Sequence, residues 1–130
     1  MMTIVMDGVT YRLRVRYETL GRSFHLDDGE NADYMLSGLY QRDLLGTYYD
    51  YTMEVEPDPM HPEDYDSFFE AISAPVNSHS ITLPYGQGAM TFQAMVTEGG
   101  DLYRGRVASR RRWGGLQVQF TAQKPQREPT

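Results

Sequence analysis

Apolar and polar residues alternate with a period of two through most of this chain, and one stretch breaks the rule. Thr3 to Met6 and Val9 to Tyr17 flank Asp7-Gly8, a dipeptide suited to a turn in which both central residues need positive φ, so the spacing predicts a hairpin. In its second strand Val9, Tyr11, Leu13, Val15 and Tyr17 form one face and Thr10, Arg12, Arg14 and Arg16 the other. Three arginines on one face call for carboxylates on an adjoining strand, and Asp50, Glu54 and Glu56 are the candidates. Leu20 to Leu26 reads as a short strand. Tyr34 to Leu45 fits a helix through Leu36, Leu39, Tyr40 and Leu44 as well as it fits a looping edge segment, because Gly38 and Gly46 weaken the helix. Clear alternation resumes at Gly46 to Glu56, with Thr47, Tyr49, Tyr51, Met53 and Val55 in one row, and ends at Pro57 and Pro59. His79 to Tyr85 and Met90 to Val96, joined through Gly86-Gln87-Gly88, predict a second hairpin. Glu98 to Asp101 opens a loop running to Trp113, and Gly115 to Gln123 forms the last strand.

The exception is Met60 to Ile72. Tyr65, Phe68, Phe69 and Ile72 recur at i, i+3, i+4 and i+7, the spacing of one helix face. Pro62 suits a first helical turn, Glu63, Asp64 and Asp66 meet the positive end of the helix dipole, and Ala74-Pro75 stops the run. The expected fold class is therefore mainly β (α+β): an antiparallel β-sandwich or flattened barrel with one flanking α-helix at about 62–73. Its expected core anchors are Tyr65, Phe68, Phe69, Ile72, Trp113 and Phe120. No strand repeatedly alternates with a helix, which argues against a parallel doubly wound sheet. At 130 residues the chain suits one domain, expected over 1–123, with 124–130 as a C-terminal tail.

Composition narrows the classes. An apolar fraction of 40% and a charged fraction of 23% belong to a folded protein, and no apolar run approaches the roughly 18 residues of a membrane span. The opening MMTIVMDG lacks the pattern of a secretory leader. With no cysteine, disulfides and thiolate metal sites are excluded. The net charge of −6 is unevenly spread: between Asp27 and Glu70 thirteen carboxylates face a single basic residue, Arg42, whereas Arg104, Arg106, Arg110, Arg111 and Arg112 crowd one later stretch. Such runs either lie solvated or let a basic patch on one copy meet an acidic patch on the next, head to tail.

Catalytic signatures are missing: there is no G-x-S-x-G, no H-E-x-x-H and no glycine-rich phosphate loop. His25, His61 and His79 fall in three different elements, a poor start for a metal site, and Asp27 to Asp33 lacks the ligand spacing of a helix-flanked calcium loop. No cofactor and no enzymatic activity are expected. Tyr103 to Gly115 mixes arginine, aromatic rings and glycine as nucleic-acid surfaces do, but a pI near 4.9 opposes a dedicated binder. Trp113 is expected in the core, and the arginines at a protein partner.

Several segments in order carry a resemblance: the Asp7-Gly8 hairpin, Gly46-Thr47-Tyr48-Tyr49-Asp50-Tyr51 leading into the acidic helix, Ala74-Pro75-Val76, Ser80-Ile81-Thr82-Leu83-Pro84-Tyr85, and the closing W-x-x-L-x-V-x-F from Trp113 to Phe120. Together they resemble small tail proteins of phages and prophages of Gram-positive bacteria, related in turn to ring-forming domains of tail-tube and distal-tail (baseplate hub) proteins. The resemblance implies a β-sandwich or barrel assembled with itself and other tail proteins into rings, often hexameric, around a DNA channel. It implies no catalytic residues, DNA only as non-specific cargo, no membrane, and a place in the virion tail after assembly in the host cytoplasm. Arg104, Arg106, Arg110, Arg111 and Arg112, with the helix carboxylates Glu63, Asp64 and Asp66, become the candidate subunit interface. Two alternatives remain at this stage. One is a ligand-binding module using Tyr48, Tyr49 and Tyr51 as a platform; the other is a nucleic-acid-binding accessory using the Arg104–Arg112 segment.

Overall fold

The computed structural model describes residues 2–30, 32–34 and 36–128. Asn31, in the acidic loop, and the last two residues of the expected tail lie outside the described residues. The strands are β1 (Met2–Met6), β2 (Val9–Val15), β3 (Gly21–Asp28), β4 (Asp33–Tyr34), β5 (Tyr40–Gln41), β6 (Leu44–Pro57), β7 (His79–Tyr85), β8 (Gly88–Met95), β9 (Gly99–Val107) and β10 (Arg110–Ala122). One helix, α1 (Pro62–Ile72), lies between β6 and β7. The fold is mainly β with a single α-helix, as the periodicities predict.

Six strands close on themselves. Antiparallel pairing runs β1–β2, β2–β6, β6–β10, β10–β8, β8–β7 and β7–β1, forming a barrel. Alternation then sorts the side chains. Ile4, Leu13, Met53, Val55, Ile81, Leu83, Ala94, Leu116, Val118 and Phe120 point inward and are buried, and their neighbours in sequence point out. The first turn adopts the expected left-handed conformation, with φ of 53° at Asp7 and 79° at Gly8. Asp7 also binds the adjacent strand β7. Its Oδ1 accepts the N–H of Ser80 at 2.9 Å, and its Oδ2 lies 2.6 Å from Nδ1 of the buried His79. Partial burial raises the Asp7 carboxyl, but the bonds from His79 and Ser80 outweigh it and hold its pKa below the ordinary carboxylate value.

The helix fills a place that a strand vacates. β6 pairs with β2 only from Leu13 opposite Pro57 to Val15 opposite Val55, because Pro57 and Pro59 end it. The N–H of Arg12, just past that ladder, donates instead to Oδ2 of Asp64 in α1 at 2.9 Å, and the Arg12 Nε donates to the same oxygen at 2.8 Å. These side-chain and backbone bonds hold the Asp64 carboxyl below the usual range. Tyr65, Phe68 and Ile72 face the barrel and join its core, with the Phe68 ring edge-on to Tyr11 at 5.3 Å. Phe69 packs against this cluster half-buried, and Phe120 is fully buried. Trp113 is not a core residue. It is 43% exposed and rests on Tyr103, because its strand has already left the barrel at that point.

Two further segments differ from the periodic reading. The stretch from Gly99 to Trp113 is a hairpin, not a loop: β9 pairs with β10 from Val107 opposite Arg110 to Gly99 opposite Val118, and β10 starts five residues before the expected strand. Among its described residues, which leave out Met35, the stretch from Tyr34 to Leu45 is neither helix nor unpaired edge but a small finger, in which β4 and β5 pair through Tyr34 and Tyr40. The segment after Ala122 is also tied down. The N–H of Thr47 donates to the carbonyl of Arg127, and that of Gln126 donates to the carbonyl of Thr47, which lays residues 124–128 along β6.

Candidate functional site

β6 and β10 are longer than the barrel needs, and their overhangs decide the shape of the molecule. They share six residue pairs, from Asp50 opposite Thr121 to Val55 opposite Leu116. Because they are antiparallel, Leu44 to Tyr49 overhang one end of this ladder and Arg110 to Gly115 the other. β3 covers the first overhang and β9 the second. Two arms therefore leave the barrel at opposite ends, and β3 and β9, the terminal strands of the sheet, each keep one edge without a strand partner among the described residues.

The β9–β10 arm carries the arginines. Its turn places Ala108 at φ of 56°, and two bulges twist it, with Gly105 at φ of 90° as the extra residue on β9 and Gly115 at 68° on β10. Bent in this way, the arm forms one wall of a cleft of about 1670 Å³ against the end of β2 and the start of α1. Seven arginines and two carboxylates line it. Glu56 organises its floor: Oε1 accepts from Arg104 at 2.5 Å, and Oε2 accepts the N–H of Gly115 at 2.8 Å. A Cβ at Gly114 would displace the ends of the Glu56 and Arg104 side chains, so glycine here lets the pair lie on the strand backbone. Arg16 is bound by Glu54 at 2.5 Å. Arg14 stands opposite Glu56 in the ladder, but Glu56 is already engaged by Arg104. Arg14, Arg106, Arg110, Arg111 and Arg112 make no ion pair among the described residues. Trp113, Tyr17 and Val107 add exposed apolar surface to the same cleft.

The carboxylates expected to receive a neighbour's arginines are divided. Asp64 is occupied by Arg12 of its own chain, Asp66 lines the cleft, and Glu63 stays on the exposed side of α1. Arg104 is likewise engaged within the chain. Glu56, which fixes Arg104 and the arm, is the organising residue that the periodicity does not single out; its place among strand carboxylates opposite arginines is the available signal.

The other arm is acidic and apolar. His25 of β3 stacks on Tyr48 with ring centroids 5.2 Å apart, and its Nδ1 lies 2.7 Å from Asp50 Oδ2. Beyond it, Asp27, Asp28 and Glu30 are countered by Arg42 on Asp28, and Leu36 and Leu39 stand exposed at the tip. The tyrosine platform does not form. Tyr49 and Tyr51 are buried, bonded through their hydroxyls to Tyr85 and to the carbonyl of Pro84, and only Tyr48 lies on the outer face.

The histidines remain apart, on β3, before α1 and on β7, and no cluster of three metal-ligating side chains is present among the described residues. No helix among them is long and apolar enough to cross a membrane. No protein-family model, curated protein or solved structure matches the chain.

Proposed function

We propose that this protein is a non-enzymatic structural component of a phage or prophage tail, forming or joining rings around a DNA channel in a tail-tube, distal-tail or tail-completion role. The observation that carries the reading is the pair of arms. A closed barrel has no strand edges of its own, yet this one extends two edge strands from opposite ends, one arm basic and the other acidic with an apolar tip. Unlike surfaces at opposite ends generate head-to-tail contacts, which close into rings or continue as filaments. The resemblance of the Gly46–Tyr51 and Trp113–Phe120 segments to phage tail proteins supplies the biological setting: a homo-oligomer joined to other tail proteins in the virion, assembled in host cytoplasm.

Sedimentation across a concentration series, followed by negative-stain microscopy, tests it. Rings or stacks of uniform diameter are the expected result, and a strict monomer at millimolar concentration, alone and with tail partners, refutes it. A second reading, an accessory protein that binds nucleic acid, draws on the five unpaired arginines beside Trp113. It requires salt-sensitive affinity for an oligonucleotide in a protein that stays monomeric.

A further inference from the structure

We infer that the arginine cleft is the receptor for the acidic finger of a second copy of this chain, so that the tip around Leu36 and Leu39 of one molecule enters between α1 and the β9–β10 arm of the next. This rests on the assembly reading above and gives it a specific contact.

The two surfaces match in kind. The cleft offers Arg14, Arg106, Arg110, Arg111 and Arg112 without internal partners, together with the exposed Trp113 and Val107. The finger offers Glu30, and Asp27 at 3.4 Å from Nε2 of its own His25, behind the exposed Leu36, Leu39 and Tyr40. Each combines charge with apolar surface, the composition of an interface rather than of a solvated face. They do not neutralise one another within a molecule. At about 3.4 Å per residue, the shared ladder and two overhangs set roughly 60 Å of strand between them, against a screening length of about 8 Å at physiological ionic strength. Of the helix carboxylates, Asp64 holds Arg12 and Asp66 is part of the cleft's own wall, which leaves Glu63 and Glu70 exposed on a helix face that carries no large exposed apolar residue beside them. Finger and cleft differ, so the contact is heterologous, and each molecule keeps one unused end.

That polarity permits a complementation test on full-length chains. One variant disables the finger by Glu30→Lys, Leu36→Lys and Leu39→Lys, all exposed positions whose side chains make no hydrogen bond or ion pair among the described residues. The other disables the cleft by Arg110→Ala, Arg111→Ala and Arg112→Ala, and also carries Trp113→Phe. All tryptophan emission in a mixture then comes from the intact cleft of the finger variant. Unchanged circular dichroism of each variant establishes that both are folded.

Each variant alone should be monomeric. Mixed, they should form a one-to-one dimer that stops at two molecules, shifts the Trp113 emission, and weakens at least about tenfold between 0.05 and 0.5 M salt. If wild type assembles but the mixture gives no dimer, the finger–cleft contact is wrong and assembly uses other surfaces. If wild type and mixture are both monomeric, both readings fall. If a single-stranded oligonucleotide shifts Trp113 in the finger variant while no dimer forms, the cleft's occupant is nucleic acid and the inference is overturned.

Discussion

Replacing Phe68 by alanine tests the position of α1 against the barrel. Phe68 is fully buried, meets Tyr11 edge-on, and belongs to the same cluster as Ile4, Leu13 and Val55. Truncating a buried phenylalanine removes its transfer free energy and leaves a cavity, together about 4 kcal/mol. An unfolding entropy of about 2.1 cal/mol/K per residue gives this chain roughly 0.27 kcal/mol/K, so the expected fall in Tm is about 15 °C. A domain of this size holds about 7–20 kcal/mol of stability, and the variant should still be folded at 25 °C. Phe69 is the internal control. It is adjacent in sequence, chemically identical and only half-buried, so Phe69→Ala should cost about 1.5 kcal/mol, or roughly 5 °C. Thermal melts by far-UV circular dichroism with matched buffers measure both. Equal losses, or a larger loss at Phe69, would mean that the helix presents a different face to the barrel, and the packing argument would fail.

Three further outcomes follow from the same structure. Asp64→Asn should lower Tm by a constant amount between about pH 5 and 8 and by progressively less below about pH 4. A carboxyl whose folded pKa is depressed stabilises above its unfolded value, near 3.9, and loses that contribution as pH falls through the folded one; a pH series of melts checks this. Gly46→Ala places a side chain at φ of 133° against Pro125 and the carbonyl of Arg127, so about 1–3 kcal/mol should be lost and trypsin should cut faster after Arg127. Tyr65→Phe deletes a 2.8 Å bond to Asp101, and burial followed by that bond pushes the phenol pKa well above its usual value. Because Asp101 is partly exposed and can turn to water, the loss should be modest, about 1–2 kcal/mol in urea unfolding, with m unchanged.

The parts legible in the sequence are those where burial imposes a period. β2, β6, β7, β8 and the second half of β10 each have one face in the barrel, so their apolar residues alternate, and α1 shows its helical spacing for the same reason. β9 and the first half of β10 have no such face. Every residue from Leu102 to Trp113 except Gly105 is exposed, and hydrogen bonding alone, which leaves no mark on side-chain pattern, makes them strands. Trp113, expected to anchor the start of the last strand in the core, sits beyond the point where β10 leaves the barrel. The cross-strand demand of Arg12, Arg14 and Arg16 was legible, and Glu54 and Glu56 do stand opposite that strand. That Glu56 would be drawn to Arg104 was not, since the competing arginine lies 48 positions away and reaches it only through the bulged arm.

The offset pairing of β6 and β10 also bears on how the molecule would carry load. Tension applied between the finger and the arginine arm pulls the two strands along their length in opposite directions, so the pairs from Asp50–Thr121 to Val55–Leu116 resist in shear and share the force instead of unzipping one at a time. A chain of such subunits linked end to end would be stiff along its axis, with its weakest points at the contacts between molecules rather than within them.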